Sequence, residues 1–250
     1  MSGLAIIVGD SAYAGANVGY SLPVSRGART LLFPKVDAAT TLANKVDALA
    51  GGVGNGSIFG TPIYAAGSVN LRSSSSYINT ASADAGTTTI LAVVRTSDGL
   101  INGLNTPAIG GNWTISVSGL HFGFDDNSGV KNIVARRTTT VSGSPANSGV
   151  LRTPYTLGAW AFVACVFENN VGMTIYNKTL GGWNFLAVTT QHVPGAGAIK
   201  AGSGFGTTYQ GTADFAFWAE HNVALTTAEI DTYYEAIRAR LAAYSSPIIV

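Results

Sequence analysis

Short segments with high β-strand propensity, separated by glycine, asparagine and serine, follow one another along most of this chain. A chain without helices between its strands cannot build the alternating strand and helix units of a parallel α/β fold. Many short strands joined by turn residues are typical of an antiparallel sandwich. At 250 residues, the chain has the length of one large sandwich. We therefore predict an all-β fold made of two antiparallel sheets.

The predicted strands are rich in β-branched and aromatic residues and are bounded by turn residues. They are residues 63–65, 69–71, 77–80, 88–95, 112–117, 119–124, 132–136, 160–167, 172–177, 184–188, 199–203 and 213–219. No internal repeat of about 20–50 residues is apparent, which argues against a propeller or a solenoid.

One helix is predicted near the C-terminal end. Thr226 and Glu229 have the spacing of a capping box, in which each residue satisfies a free backbone N–H group of the other. The apolar residues that follow recur at helical intervals and would form one buried face. They are Ile230, Tyr234, Ile237 and Leu241. We predict a helix over residues 227–243.

The first 56 residues differ in pattern from the rest. Leu42, Val46 and Leu49 have helical spacing, which predicts a short helix over residues 40–49. A glycine-rich stretch at residues 51–56 follows and is typical of a loop or linker. We therefore divide the chain into an N-terminal arm for assembly, residues 1–56, and a sandwich with the C-terminal helix, residues 57–250.

The charge balance excludes several classes of partner. Fourteen basic residues against 13 acidic ones give a net charge of +1, and 11% of the residues are charged. Without a basic block, the chain lacks the pattern of a nucleic-acid-binding protein. The N-terminus has no basic region and predicts no signal peptide. The apolar run at 159–167 is too short to insert into a membrane.

The single cysteine, Cys165, lies inside that apolar run. One cysteine cannot form an intramolecular disulfide, and it excludes a zinc cluster built from cysteines. We interpret Cys165 as a small buried hydrophobic residue.

Several segments, in the same order and with similar spacing, resemble concanavalin A-like jelly rolls of the laminin-G, lectin and glucanase type. The segments are residues 77–80, 88–95, 158–167, 173–177, 199–206, 209–218 and 223–230. The resemblance implies an antiparallel jelly-roll β-sandwich that binds carbohydrate. Ala201 departs from it, because glycine is common there, and no clear metal-ligand pair stands at the usual loop positions. The N-terminal arm and the Gly/Ala/Thr-rich style resemble phage virion proteins that carry such domains.

Two features of the sequence bear on whether the protein is an enzyme. Gly9, Asp10 and Ser11 resemble the first block of GDS-type esterases, but no histidine follows an aspartate by three residues. Glycosidases need two positioned carboxylates, and the chain has four glutamates and no Glu-x-Asp pair. Asp125 and Asp126 would have to serve instead. We predict a protein without catalytic activity, with a polysaccharide depolymerase or esterase as the alternative.

Candidate glycan-binding residues are aromatic platforms and polar groups that could meet sugar hydroxyls. Trp183 follows two glycines between predicted strands, so it is expected at a loop tip, whereas Trp160 and Trp218 are expected in the core. Of the pair Arg136–Arg137, alternation directs one side chain to solvent. The candidates are Trp183, Tyr209, Tyr155, Asp125, Asp126 and Arg137.

The densest cluster of oxygen ligands is residues 123–129, with Asp125, Asp126 and Asn127 at its centre. Such a loop could hold Ca²⁺, or it could be an ordinary hairpin turn. No other cofactor is predicted.

The sequence thus predicts a glycan-binding or adhesion protein on the surface of a phage-like virion, as a tail fibre, head fibre or decoration subunit. We expect a homotrimer that contacts other virion proteins and bacterial surface polysaccharide and is extracellular after lysis. The alternative is a structural cement protein of the virion with no ligand.

Overall fold

Two antiparallel sheets form a sandwich within the part of the chain that the structure describes, residues 21–46, 48, 51–100, 105–114, 117–204 and 209–250 of a computed structural model. Sheet I consists of β1 (Ala28–Leu32), β3 (Ile63–Ala65), β4 (Ser68–Arg72), β6 (Thr88–Arg95), β12 (Ala161–Glu168), β13 (Gly172–Asn177), β14 (Gly182–Ala187) and β16 (Thr212–His221). Sheet II consists of β2 (Ser57–Phe59), β5 (Tyr77–Ala83), β7 (Ala108–Gly111), β8 (Leu120–Asn127), β9 (Val130–Val141), β10 (Ser144–Asn147), β11 (Leu151–Pro154) and β15 (Ala198–Ala201). The predicted all-β sandwich is confirmed.

The strand order places different strands at the centre and at the edges of each sheet. Sheet I runs β14-β13-β12-β6-β16-β4-β3, with β1 also paired to β16. Sheet II runs β10-β9-β8-β7-β15-β5-β2, with β11 also paired to β9. Strands β14 and β10 therefore end their sheets, as do β3 and β2 at the other side.

The central strands of sheet I are apolar on both faces because both faces are covered. On β6, Ile90, Ala92 and Val94 belong to the core between the sheets. Leu91 and Val93 point the other way and join a second cluster beneath the C-terminal helix. This two-sided burial explains why β6 and β12 are continuous apolar runs rather than alternating ones.

The C-terminal helix α2 spans Thr227–Ala242, and its predicted capping box is present. Its apolar face covers the outer face of sheet I through Ile230, Tyr233, Ile237 and Leu241. Tyr233 is buried, whereas Tyr234, which we predicted on that face, is half-buried at its margin. Beyond the helix, Ile248 packs into the same cluster, so this part of the apolar tail docks on its own chain.

Replacing Thr226 with alanine is expected to lower the free energy of unfolding by about 1 kcal/mol, because the Glu229 backbone N–H would lose its acceptor. The matched control is Thr232→Ala in the same helix, where a threonine hydroxyl bonds a carbonyl within the helix and caps no end. Urea unfolding measures both variants. Equal losses in the two would show that the cap does not stabilise this helix.

Residues 28–32 of the predicted N-terminal arm form β1, which pairs with β16 and so contributes to the sandwich itself. The boundary at residue 57 stays a prediction, but this part of the arm packs on the main domain. The predicted helix over 40–49 is wrong in extent: α1 spans Ala38–Leu42. The chain leaves the helix there because the Asn44 side chain accepts from Leu31 N and donates to the carbonyl oxygens of Arg29 and Val53.

The predicted strand at 112–117 is also misplaced, since β7 lies just before it at Ala108–Gly111. The chain turns away at Asn112, whose side-chain oxygen accepts from Leu120 N and whose amide donates to the carbonyl of Gly197. Cys165 is buried as expected, and burial raises the pKa of its thiol. Among the described residues, no helix has the length and apolar character needed to cross a membrane.

Candidate functional site

Two aromatic side chains stand exposed on the outer face of sheet I. Trp183 is 63% exposed and Phe185 is 50% exposed. Both belong to β14 and are two residues apart, so they point to the same face. The prediction that Trp183 lies at a loop tip is therefore wrong, because it lies on a strand at the end of the sheet. On β13, Tyr176 pairs with Trp183 and Thr174 with Phe185. We call Trp183, Phe185, Tyr176 and Thr174 the aromatic surface.

Two glycines shape this surface. Gly181 has a φ of +69° in the turn that joins β13 to β14, a conformation that favours glycine. At Gly172 a Cβ atom would lie 2.5 Å from the Phe185 ring. The absence of a side chain at Gly172 therefore lets Phe185 lie across β13.

Hydrogen-bonding groups lie beside the aromatic surface. The Tyr176 hydroxyl is 3.1 Å from Thr227 Oγ1 at the start of α2. Lys178 follows Tyr176 by two residues, and its Nζ lies 2.5 Å from Asp231 Oδ1. Exposed rings next to an amine, a carboxylate and hydroxyl groups are the chemistry with which proteins hold sugars, since rings cover C–H surface and polar groups meet hydroxyls.

A second group of residues lies on the outer face of sheet II. Alternation along β8 places His121, Gly123 and Asp125 on this face. Arg136 of β9 pairs with His121, and Arg152 of β11 pairs with Val134, the partner of Gly123. Two aromatic rings flank the histidine. We call His121, Asp125, Arg136, Arg152, Trp113 and Tyr209 the polar cluster.

The side chains of the polar cluster meet at Asp125 and His121. Asp125 Oδ2 accepts from Arg152 Nε at 2.7 Å and lies 4.0 Å from an Arg136 nitrogen. The His121 ring lies over Gly123, where a Cβ atom would be 2.7 Å from Nε2. The centroid of the His121 ring lies 4.5 Å from the centroid of the Tyr209 ring and 5.7 Å from the centroid of the Trp113 ring.

Burial sets the protonation of this group. The His121 side chain is fully buried, and burial, aided by the positive charge of Arg136, lowers its pKa to about 3. The imidazole is therefore neutral near pH 7 and offers one donor and one acceptor. Burial also raises the pKa of Tyr209.

The structure thus brings together two of the predicted site residues, Tyr209 and Asp125, and leaves Trp183 on the opposite sheet. Arg137 is fully buried, and its guanidinium donates to the carbonyl oxygens of Glu168 and Val188. The more accessible member of the pair is therefore Arg136, whose side chain is 24% exposed, and the expectation that Arg137 faces solvent is wrong. Tyr155 is also buried, and its hydroxyl accepts from Thr96 N and donates to the Ala159 carbonyl.

The calcium hypothesis does not fit the donor set of the β8–β9 turn. Asp126 accepts from Gly129 N and pairs with Lys131, and Asp125 pairs with Arg152 through Oδ2, so a basic side chain already stands where a cation would approach each carboxylate. Asn127 ends β8 beside them. Among the described residues no group of three or more His, Cys, Asp or Glu side chains could hold a metal ion.

Asp125 and Asp126 are successive residues of one strand and point to opposite faces, so they cannot flank one glycosidic bond. Ser11 lies outside the described residues. Phe185, His121 and Arg152 were not among the predicted site residues, and Arg137 was selected from the pair in which Arg136 is the more accessible. The alternation of His121, Gly123 and Asp125, which begins in the predicted strand 119–124 and continues one residue beyond it, was the available signal for the residues on β8.

No protein-family profile and no curated protein matches the sequence. Solved structures with the same fold include the binding domain of botulinum neurotoxin DC in complex with SialylT, at a TM-score of 0.59 and 13% identity over 85% of this chain and 52% of that one. The binding domain of botulinum neurotoxin serotype D is similar at a TM-score of 0.57 and 15% identity, over 87% and 52%. The neurotoxin DC domain in complex with rat synaptotagmin II is similar at 0.57 and 12%, over 86% and 52%. This chain spans about half the length of those domains.

Proposed function

We propose that this protein is a glycan-binding or adhesion protein without catalytic activity, and that the aromatic surface is where it binds. The observation that carries the proposal is the exposure of Trp183 and Phe185 on one face of β14. Large apolar rings in water are costly unless a partner covers them, and aromatic rings are the usual platforms for sugars. Lys178 and Asp231 stand beside them to meet hydroxyl groups.

The solved structures support a binding role only through the fold. Binding domains of botulinum neurotoxins share the sandwich and are described with a sugar ligand and with synaptotagmin. This chain matches about half of each domain at 12–13% identity, so the property that they share is the fold.

We place the protein on the outside of a phage-like particle as a homotrimeric fibre or decoration subunit. Support comes from the low charge of the chain and from its Gly/Ala/Thr-rich composition, which resembles that of virion proteins. A bacterial surface polysaccharide is the ligand that such a position implies.

Replacing Trp183 with alanine is expected to weaken polysaccharide binding about tenfold, because loss of a stacked indole removes about 1.5 kcal/mol of contact. Biolayer interferometry on immobilised bacterial polysaccharides measures the effect. Val141→Ala is the control, since Val141 is 48% exposed on β9 of sheet II and belongs neither to the aromatic surface nor to the polar cluster. Unchanged affinity in Trp183→Ala would remove the aromatic surface from the proposal.

The alternative is a structural cement protein with no ligand. Phe59 and Ile63 favour it, because these exposed apolar residues lie on the strands that end the two sheets at one side of the sandwich. Exposed apolar edge residues are typical of contacts between subunits. The polysaccharide assay separates the two functions, since a cement protein binds no glycan in any variant.

A further inference from the structure

We propose that the polar cluster on sheet II is a second binding site, specific for a sugar unit that carries a carboxylate, as uronic acids do. This inference rests on the proposed glycan-binding function and adds a substrate class to it. It concerns the face of the sandwich opposite to the aromatic surface.

Unpartnered polar atoms are concentrated here. Four buried side-chain atoms of the polar cluster have no hydrogen-bond partner among the residues that the structure describes: His121 Nδ1 and Nε2, Asp125 Oδ1 and Arg136 Nε. Each such atom costs about 1–3 kcal/mol, so buried polar groups are normally paired in folded proteins. Four of them converging on one face indicate groups held ready for a ligand.

The chemistry of these atoms defines the ligand. Arg136 Nε offers a donor, and the neutral His121 offers one donor and one acceptor. Asp125 Oδ1 offers an acceptor, which requires a hydroxyl group on the ligand. The two donors suit a carboxylate, so a molecule with a carboxylate and neighbouring hydroxyl groups would satisfy all four atoms.

The charge of the cluster agrees with an acidic ligand. Arg136 and Arg152 carry two positive charges, and Asp125 carries one negative charge, so the group has a formal charge of +1 with His121 neutral. A guanidinium and a carboxylate form strong, directional hydrogen bonds because both partners are charged. One ligand carboxylate would bring the cluster to neutrality.

The cluster has aromatic walls and an entrance. Trp113 and Tyr209 flank His121 and are themselves only 4% and 7% exposed, so they form the closed wall of the cluster. The side chains of Arg136 and Arg152 are 24% and 33% exposed, so a carboxylate can approach them from solvent. Tyr209 covers His121, so a ligand that is held by the two arginines would reach the His121 ring only if the Tyr209 side chain moved away from it.

The test compares methyl β-D-glucuronide with methyl β-D-glucoside, which differ in one carboxylate. Titration is followed by calorimetry and by the NMR signals of the His121 ring. We expect the glucuronide to bind at least about tenfold more tightly and to shift the His121 signals. Arg136→Gln should remove this preference, whereas Arg238→Gln, which changes an exposed arginine paired to Glu235 on α2, should keep it.

Equal binding of the two glycosides, or binding that leaves the His121 signals unmoved, would overturn the site. The His121 measurement needs no variant, so a poorly folded Arg136→Gln protein would not leave the question open. Trp183→Ala distinguishes the two proposals. If glucuronide binding survives in Trp183→Ala while polysaccharide binding is lost, both stand; if polysaccharide binding is unaffected by Trp183→Ala, the aromatic surface fails independently of this site.

Discussion

Replacing Trp218 with alanine is expected to lower the free energy of unfolding by about 4 kcal/mol. Trp218 lies on β16 between the two sheets and is 1% exposed. Its ring reaches sheet II, where a Cβ atom at Gly110 would lie 2.2 Å from the indole. Removing the ring therefore leaves a cavity at the contact between the sheets, and it also takes the Nε1 donor, at 2.7 Å, away from the Glu220 carboxyl.

Trp183→Ala is the matched control for this prediction. The same substitution on the exposed face of β14 removes little buried area, so it should change the free energy of unfolding by less than about 0.5 kcal/mol. Urea unfolding measures both. In the glycan assay the order of the two effects should be reversed. Folded Trp218→Ala should keep its affinity for polysaccharide, whereas Trp183→Ala should lose it. Similar stability losses would contradict the assignment of Trp218 to the core and Trp183 to the surface.

The second large effect is on the pH dependence of stability, which three buried groups control. Burial lowers the pKa of His121 to about 3, and burial lowers the pKa of His221 to about 4. His221 Nδ1 donates to the Arg26 carbonyl, and in the neutral ring Nε2 accepts from the Tyr233 hydroxyl, so both nitrogens are satisfied without a charge. In the opposite sense, burial raises the pKa of Glu220 to about 7.

The direction in which each group changes the stability follows from whether the folded or the unfolded chain binds its proton more tightly. A buried histidine with a lowered pKa stays neutral in the folded chain while the unfolded chain binds a proton below about pH 6.5, so stability falls as the pH falls. Glu220 binds its proton in the folded chain first, so its contribution is full below about pH 4.5 and is lost as the pH rises through about 7. When the pH falls from 7.5 to 5, each histidine lowers the free energy of unfolding by about 2 kcal/mol. Over the same range, protonation of Glu220 raises the free energy of unfolding by about 2 kcal/mol.

Glu220→Gln is therefore expected to increase the loss of stability between pH 7.5 and pH 5 from about 2 kcal/mol to about 4 kcal/mol, because the opposing group is gone. Glutamine keeps the oxygen that accepts from Trp218 Nε1. Urea unfolding at both pH values provides the measurement, with Glu235→Gln on the exposed face of α2 as control. A loss that is the same in wild type and Glu220→Gln would show that Glu220 takes up no proton in the folded chain between these pH values.

The strands that the sequence predicts best are those with clear turn residues at both ends. Strands β3, β6 and β13 match the predicted ranges to the residue. Strand β1 was missed because it has no alternating pattern and is held by β16, which lies far along the chain and pairs through tertiary contact. The capping box defined α2 because that signal is local.

The candidate site shows where sequence reasoning stops. Strand β9 is buried on both faces over much of its length, so no alternation of polar and apolar residues tells which of Arg136 and Arg137 faces solvent. Trp183 was selected because glycines precede it, yet its exposure arises from the position of β14 at the end of sheet I. The polar cluster joins strands β8, β9 and β11 with Trp113 and Tyr209, which only the fold brings together.

The most direct test of the proposed function is binding of the purified protein to a panel of bacterial surface polysaccharides, with released reducing ends measured in the same wells. We predict saturable binding of at least one polysaccharide, no release of reducing ends, and loss of binding in Trp183→Ala. Absence of binding across a broad panel would contradict the adhesion function and favour the structural one. Release of reducing ends would show an enzyme.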